Sequence, residues 1–282
     1  MDLAKRNLTD IQRYIEFLEQ HNHLIRVKSE VDPLFELAGI AKRFEGGKAL
    51  LFERVKGYDY PVLIGLYWNR DLLAKLLQTD SARLPFVLSD EIRAWQQSPS
   101  EPVIVKQGPA NEVVEPTPDL GKLPIPHHAE GDGGRYLTSS VVIAKDPDTG
   151  VRNLSIHRMM VTGKNRLTLL LEELGHLMDY YKRAEAKGVP LEITVNNGID
   201  FPLTVAAASP ASAAPIEMDE LGIASQMWGE PVTLIEAQTV AVEAIANAQF
   251  VIEGKILPRV REPEGPYAEV TGYYAERDDR WV

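Results

Sequence analysis

Apolar residues in the first hundred positions recur at helical spacing and alternate with short strand-like runs. Ile11, Ile15 and Leu18 share one face of a predicted helix, and the segment Thr9-Asp10-Ile11-Gln12 before them is typical of a capping box. Further helix starts are predicted at Asp32-Pro33 and at Asn69 or Asp71, and strands at Leu24–Val27, Ala49–Phe52 and Val62–Leu66. Together these elements predict a small α/β unit over residues 1–105.

Strand-like patterns dominate the second half of the chain. Seven prolines between residues 98 and 126 oppose a long regular helix there and indicate an extended connection. Leu137–Lys145 and Asn153–Val161, joined by the turn-forming segment Asp146–Gly150, predict a hairpin. The remaining predicted elements are a helix at Leu174–Lys187, a loop at Gly198–Ala208 that leads into a short helix, and strands at Ile193–Val195, Val232–Ile235 and Phe250–Glu253. We therefore expect a mixed α/β (α+β) fold whose second, β-rich domain covers residues 106–282.

Composition narrows the classes of function. The 282-residue chain has 30 Lys and Arg against 41 Asp and Glu, a net charge of −11. This charge opposes a dedicated nucleic-acid binder, because neutralising phosphates needs a basic face. The absence of cysteine excludes a disulfide framework and a thiol nucleophile. With no apolar run near the roughly 18–20 residues of a membrane span, and no signal-like start, the expectation is a cytoplasmic protein.

The first candidate site is the segment from Asn153 to Met159. In an extended strand its side chains alternate, which gives two sets: Asn153, Ser155 and His157 on one face, and Leu154, Ile156 and Arg158 on the other. Arg158 thus shares a face with two apolar residues, and a buried guanidinium needs an anionic partner. The alternative is an edge strand with Arg158 in solvent.

Two further segments hold residues suited to chemistry. Glu264 and Glu269 stand five positions apart around a Gly-Pro turn, which can bring both carboxylates to one cavity. Paired carboxylates near an arginine suit proton transfer, because their repulsion raises one pKa while the arginine keeps the other group ionised. The alternative is a solvated acidic loop. His176 lies at a predicted helix start, where a histidine is a metal ligand or simply a capping residue.

Four motifs occur along the chain in a fixed order. They are Leu123–Pro126 with Glu130–Tyr136, Asn153–Arg158, Val251–Gly254, and Glu264–Glu269 with Thr271–Tyr273. In this order and spacing the chain resembles the UbiD family of reversible decarboxylases, which use prenylated FMN. The resemblance runs from the first predicted helix to the last residue. It implies a split β-barrel-like flavin-binding domain over residues 106–282, and the family's usual C-terminal oligomerisation domain is expected to be absent.

The resemblance also implies roles for matched residues. Arg158, Glu264 and Glu269 fall on the family's catalytic set, with Glu269 as the acid that reprotonates the substrate carbon. Asn153, His176 and Gln249 fall on the metal ligands, for Mn²⁺ or Mg²⁺, with K⁺ as a further candidate ion. The cofactor-binding positions implied are Asn153, Leu154, Ser155, Ile156, His157, Arg158, Gly175 and His176.

The implied reaction is reversible, non-oxidative decarboxylation of an aromatic or α,β-unsaturated carboxylic acid through a covalent adduct with prenylated FMN. His157 before Arg158 resembles members that act on hydroxylated aromatic acids. The implied partners are the acid and CO₂, a flavin prenyltransferase that supplies the cofactor, and further copies of the chain in a homo-oligomer.

Two features favour an alternative, a truncated or auxiliary UbiD-like subunit that is not catalytic on its own. Gln249 stands where a glutamate is expected, so that ligand supplies no charge, and the chain is shorter than family members usually are. The matched Arg158, Glu264 and Glu269 oppose this alternative. A separate departure is Ala268, which stands where the family has glycine, and a positive φ there would strain an alanine. A generic split-barrel flavin binder is a third hypothesis.

Overall fold

Helices and strands alternate in a mixed α/β fold, as the sequence predicts, in the computed structural model, which describes residues 10–269 and 271–282. The helices in these ranges are α1 Ile11–Gln20, α2 Glu36–Lys42, α3 Arg70–Leu76, α4 Leu84–Gln97, α5 His176–Ala186, α6 Phe201–Ala207 and α7 Leu221–Trp228. None of them has the length and apolar content needed to cross a bilayer.

The strands of the same ranges form five sheets. They are β1 Leu24–Val31, β2 Ala49–Val55, β3 Val62–Ile64, β4 Val103–Val105, β5 Tyr136–Leu137, β6 Val141–Lys145, β7 Arg152–Ile156, β8 Met159–Gly163, β9 Arg166–Leu169, β10 Leu191–Asn197, β11 Thr233–Glu236, β12 Glu243–Ile245, β13 Phe250–Ile256, β14 Arg261–Glu264, β15 Tyr267–Ala268, β16 Tyr274–Ala275 and β17 Asp278–Trp281. Their orders are β1-β2-β3, β13-β10-β6-β7, β12-β11-β4, β14-β17-β9-β8-β5 and β15-β16, with no closed barrel among the described residues.

The predicted hairpin over residues 137–161 is divided between two sheets. Strand β6 pairs with β7 in the four-stranded sheet, whereas β5 pairs with β8 in the five-stranded sheet. The chain therefore changes sheets between Ile156 and Met159, and the simple alternation predicted for Asn153–Met159 ends at Ile156. His157 and Arg158 lie in this break, where their directions depend on tertiary contacts and not on the pleat of one strand.

Local capping explains where most of the predicted helices begin. The Asp10 carboxylate accepts a hydrogen bond from Gln12 N–H at the start of α1, and Asn69 caps α3 in the same way. Thr9 of the predicted capping box lies outside the described residues. Helix α5 begins at His176, two residues later than predicted, with Gly175 as its N-cap.

Two helices, α4 and α7, are absent from the sequence-based prediction for different reasons. Helix α7 buries seven of its eight residues, so its apolar positions show no one-faced periodicity. Helix α4 carries Leu84, Leu88, Ile92 and Trp95 at helical spacing on the face that packs against the main core, a pattern that the sequence analysis did not use.

The main core joins the two halves of the chain. Tyr14 and Leu18 of α1 and Trp95 of α4 belong to the same buried cluster as Leu221 and Ile223 of α7. Strand β4, at the proposed boundary near residue 105, pairs in parallel with β11 of the second half. The division into residues 1–105 and 106–282 stays a prediction.

Helices α4 and α7 are in close contact at Gly222. A Cβ at Gly222 would overlap the Trp95 indole, whereas a Cβ at Gly39, also within a helix, would meet no atom within 4 Å. Gly222→Ala is expected to lower the free energy of unfolding by about 1–3 kcal/mol. The control Gly39→Ala is expected to raise it by up to about 1 kcal/mol, through helix propensity alone. Urea denaturation measures both, and equal stabilities of the two variants would contradict the tight contact.

Candidate functional site

Arg158 and Glu264 form a buried ion pair at the break between β7 and β8. The Nε and Nη2 atoms of Arg158 donate to Oε1 and Oε2 of Glu264 at 3.1 and 3.0 Å. The Glu264 side chain is fully buried and that of Arg158 is 9% exposed. Two parallel charge-assisted bonds fix the guanidinium plane as well as its position. The sequence-level alternative of a solvated Arg158 is therefore wrong.

Glu269 is the second carboxylate on the same guanidinium. It pairs with Nη1 of Arg158 and is 36% exposed, in contrast to Glu264. The guanidinium also lies 4.8 Å from the centre of the Tyr267 ring. Burial opposes the charge of Arg158, but its contacts with the two carboxylates outweigh that effect and raise the pKa of the guanidinium above its usual value. Arg158 is therefore a permanent cation between one buried and one accessible carboxylate.

The segment of residues 264–269, called here the two-carboxylate turn, carries both acids. Its positive φ falls on Gly265, at +90°, and Ala268 is not among the residues with positive φ. The strain that the sequence suggested for Ala268 is therefore absent. Glycine stands where the backbone requires it.

An open pocket adjoins this turn. It has a volume of about 190 Å³ and is lined by Ile156, His157, Arg158, Leu170, Glu172 and Glu269. Apolar side chains, a fixed cation and an accessible carboxylate thus face one space. This arrangement suits binding an anionic organic molecule and exchanging a proton with it.

A second polar cluster is built around Glu220, which the sequence analysis missed. Its Oε1 accepts a hydrogen bond from Asn153 Nδ2 at 3.0 Å and lies 3.2 Å from His176 Nδ1. Its Oε2 accepts the backbone N–H of Leu154 at 3.1 Å. Asn153 and Glu220 are buried, and His176 is 12% exposed. One amide, one imidazole and one carboxylate therefore meet at the start of α5 and α7.

Gln249 does not belong to that cluster. Its Oε1 accepts a hydrogen bond from Gln12 Nε2 at 3.0 Å, on the side of α1. The structure does not bring Gln249 together with Asn153 and His176: directly before β13, its backbone N–H donates to the Asn197 carbonyl and its side chain contacts Gln12. The acidic pair Asp219-Glu220 directly before the apolar helix α7 is the sequence signal that could have identified Glu220.

The residue types around Glu220, an amide, a carboxylate and an imidazole, are those that bind Mn²⁺ or Mg²⁺. In this structure Asn153 Nδ2 faces Glu220, and Asn153 Oδ1, the atom that would bind a cation, lies beside Ser155. Within residues 10–269 and 271–282, no three His, Asp or Glu side chains form such a group by themselves. The set therefore depends on the amide of Asn153.

The other predicted cofactor-strand residues have distinct environments. Leu154 is buried in the main core, and Ile156 lines the pocket. The Ser155 hydroxyl lies 3.0 Å from Asn153 Oδ1 and 2.9 Å from His157 Nε2. Gly175 provides the N-cap of α5 next to His176. This strand therefore lies between the polar cluster around Glu220 and the pocket.

His157 is held by both ring nitrogens. Its Nδ1 donates to the Leu170 carbonyl at 2.8 Å, and its Nε2 faces the Ser155 hydroxyl. Burial lowers the pKa of His157 below its ordinary value of 6.5. The ring is therefore a neutral wall of the pocket.

The buried His157 predicts a pH-dependent stability. As the pH falls below about 6.5, the unfolded chain protonates this histidine more readily than the folded chain, so the free energy of unfolding decreases. In His157→Gln this contribution is removed, and the decrease between about pH 6.5 and 5 should be shallower by up to about 1.4 kcal/mol per pH unit. Urea titrations at a series of pH values measure the slope. An identical slope in both proteins would show that His157 does not titrate in this way.

Comparisons with known proteins match two family domains to the chain. Residues 15–92 match the 3-octaprenyl-4-hydroxybenzoate carboxy-lyase N-terminal domain, and residues 102–282 match the Rift-related domain of the same carboxy-lyase. An uncharacterised protein of Rhodospirillum rubrum is 49% identical over 98% of this chain and 60% of its own length.

Two solved structures share the fold. A dimeric form of the UbiD-class enzyme HmfF from Pelotomaculum thermopropionicum, in complex with prFMN, is 40% identical, with a TM-score of 0.90 over 97% of this chain and 63% of that chain. The apo 3,4-dihydroxybenzoic acid decarboxylase from Enterobacter cloacae is 32% identical, with a TM-score of 0.88 over 97% of this chain and 60% of that chain. The chain spans about three fifths of the length of these relatives. From the two matching domains and these neighbours, the chain belongs to the UbiD family of carboxy-lyases.

Proposed function

We propose that this chain carries the catalytic part of a UbiD-type carboxy-lyase that reversibly decarboxylates an aromatic or α,β-unsaturated acid with the help of prenylated FMN. The observation that carries the proposal is Arg158 held between Glu264 and Glu269 at an open pocket. Decarboxylation needs a group that orients an anionic substrate and an acid that protonates the carbon after CO₂ leaves. Both are present here.

Glu269 is the proton donor in this proposal. When the bond to the carboxyl carbon breaks, CO₂ departs and the electron pair that remains is captured by a proton at the same carbon. Glu269 is accessible from the pocket, whereas Glu264 is fully buried and bonded twice to Arg158. Glu264 therefore neutralises and orients Arg158, and Glu269 is the group able to exchange a proton with substrate and then with solvent.

The cofactor supplies what the protein side chains lack. Prenylated FMN, when bound, would serve as an electron sink for the pair left by the departing CO₂ until the carbon is protonated. The Asn153, His176 and Glu220 side chains would hold a Mn²⁺ or Mg²⁺ ion whose charge would favour binding of an anionic cofactor, and the strand from Asn153 to Ile156 would contribute contacts to that cofactor. The relative solved with prFMN supports prenylated FMN as the cofactor. The predicted K⁺ stays a prediction.

The substrate preference rests on the pocket. A cavity of about 150 Å³ accommodates a benzene ring, so the pocket of about 190 Å³ suits a single-ring or similarly small acid. Both ring nitrogens of His157 are engaged, which weakens the sequence argument that His157 recognises a hydroxyl group. The 3,4-dihydroxybenzoic acid decarboxylase neighbour supports a hydroxylated aromatic acid, and the Glu172 carboxylate on the pocket wall can accept from such a hydroxyl.

The alternative, a subunit that is not catalytic on its own, loses part of its support. Gln249 suggested a metal site without a carboxylate, but Glu220 supplies one. What still favours the alternative is that the matched relatives are longer than this chain. A homo-oligomer and a cytoplasmic location stay predictions.

Glu269→Gln tests the proton donor. Protein is produced together with a flavin prenyltransferase, its bound cofactor is identified by mass and absorbance, and turnover of a panel of aromatic and α,β-unsaturated acids is measured by CO₂ release. Loss of a general acid is expected to lower kcat by about 10²–10⁴-fold, with cofactor content unchanged. The control Glu262→Gln, which removes an ion pair with Arg166 outside the pocket, should keep activity. Retained activity in Glu269→Gln would exclude this role.

Glu220→Gln tests the metal site. Loss of even an outer-shell partner typically weakens metal affinity by about 10–100-fold, so loss of this carboxylate should weaken Mn²⁺ binding at least about tenfold. Manganese content after dialysis against a metal buffer measures the effect without substrate. The control Gln249→Glu should leave the affinity unchanged, because that side chain faces Gln12. Tighter binding in Gln249→Glu would instead identify position 249 as the ligand.

A further inference from the structure

The segment from Gly131 to Tyr136 makes three hydrogen bonds to the two-carboxylate turn. Gly133 N–H donates to the Pro266 carbonyl at 2.7 Å. In the opposite direction, Ala268 N–H donates to Asp132 Oδ1 at 2.9 Å and Gly265 N–H donates to the Tyr136 hydroxyl at 3.1 Å. Three backbone groups of the turn are thus bonded to one short segment.

Tyr136 contacts the buried ion pair directly. Its hydroxyl donates to Glu264 Oε1 at 2.8 Å, the same oxygen that accepts from Arg158 Nε. Its ring packs against the Tyr267 ring, with centres 4.6 Å apart. Burial, together with the Glu264 carboxylate, raises the pKa of Tyr136, so that the phenol stays a neutral donor.

Asp132 is bonded on both carboxylate oxygens. Oδ1 accepts from Ala268 N–H, next to Glu269, and Oδ2 accepts from Ala129 N–H at 3.0 Å in its own loop. The side chain is 6% exposed. A buried carboxylate that links two separate loops restricts the motion of each loop relative to the other.

The glycines of the segment permit this approach. A Cβ at Gly133 would overlap the Gly265 carbonyl, and one at Gly131 would overlap the Tyr274 ring. Neither glycine has a positive φ, so close contact and not backbone conformation is the reason for glycine here.

We propose that Asp132 and Tyr136 are positioning residues that hold the two-carboxylate turn, Tyr136 at Glu264 and Asp132 beside Glu269, so that both acids meet Arg158 in register with the pocket. The role in turnover rests on the proposed function, whereas the restraint on the turn does not. A general acid that is displaced by about an ångström loses much of its effect. Glu269 is the less buried of the two acids, so its position depends more on the restraint of its backbone.

Amide hydrogen exchange tests the restraint in the chain alone, without cofactor or substrate. In Asp132→Ala, exchange in a peptide covering residues 264–269 is expected to be at least tenfold faster than in the wild type, with exchange in β10 unchanged. The control Asp119→Ala removes an aspartate that caps its own turn at Gly121, and should leave residues 264–269 as in the wild type. Unchanged exchange in Asp132→Ala, or equal acceleration in β10, overturns the proposal.

Kinetics of the holoenzyme test the role in turnover. Tyr136→Phe keeps the ring and removes the hydroxyl, and is expected to lower kcat at least tenfold while KM and cofactor content change less than threefold. The control Tyr180→Phe removes another buried hydroxyl, which contacts the Ile216 carbonyl, and should not change kcat. Unchanged kcat in Tyr136→Phe overturns the proposal for Tyr136. A wild-type holoenzyme that turns over no acid counts against the proposed function, and the exchange result then decides the restraint separately.

Discussion

The buried ion pair of Arg158 and Glu264 is the interaction on which the arrangement of the second half of the chain depends. Removing two charges from water is costly, and the attraction between them offsets that cost only when geometry and further hydrogen bonds are good. Here the pair has two parallel bonds, and the Tyr136 hydroxyl satisfies the same carboxylate. Because the partners are 106 positions apart in the chain, the pair also ties the β7–β8 break to the end of β14.

That break connects the two parts of the site. Strand β7 ends in the four-stranded sheet and carries Asn153, next to Glu220 and His176. Two residues after β7 ends, Arg158 bonds Glu264 of the five-stranded sheet and pairs with Glu269. A change of sheet within one short segment therefore sets the spacing between the polar cluster around Glu220 and the accessible Glu269. His157, buried in the break with both ring nitrogens bonded, stabilises the crossing.

Local pattern accounts for much of the secondary structure. The spacing of Ile11 and Leu18 marks α1, Asn69 marks the start of α3, and the turn residues 146–150 mark the β6–β7 connection, because each signal depends on neighbours in sequence. Helix α7 escapes such reasoning since it is buried on nearly all sides, and burial on all sides leaves no periodicity. The direction of the Gln249 side chain also lies beyond local pattern, because it follows from a tertiary contact with Gln12.

The sequence by itself determined the fold class, the family and the identity of Arg158, Glu264 and Glu269 as a set, because order and spacing of motifs are properties of the chain. It left open which carboxylate is buried and which faces the pocket, and it pointed to the wrong residue beside Asn153 and His176. Only the tertiary structure decided these points. Burial and hydrogen bonding depend on which loops pack together, and residues such as Asn153 and Glu220, or Asp132 and Ala268, become neighbours only when separate sheets and helices are assembled.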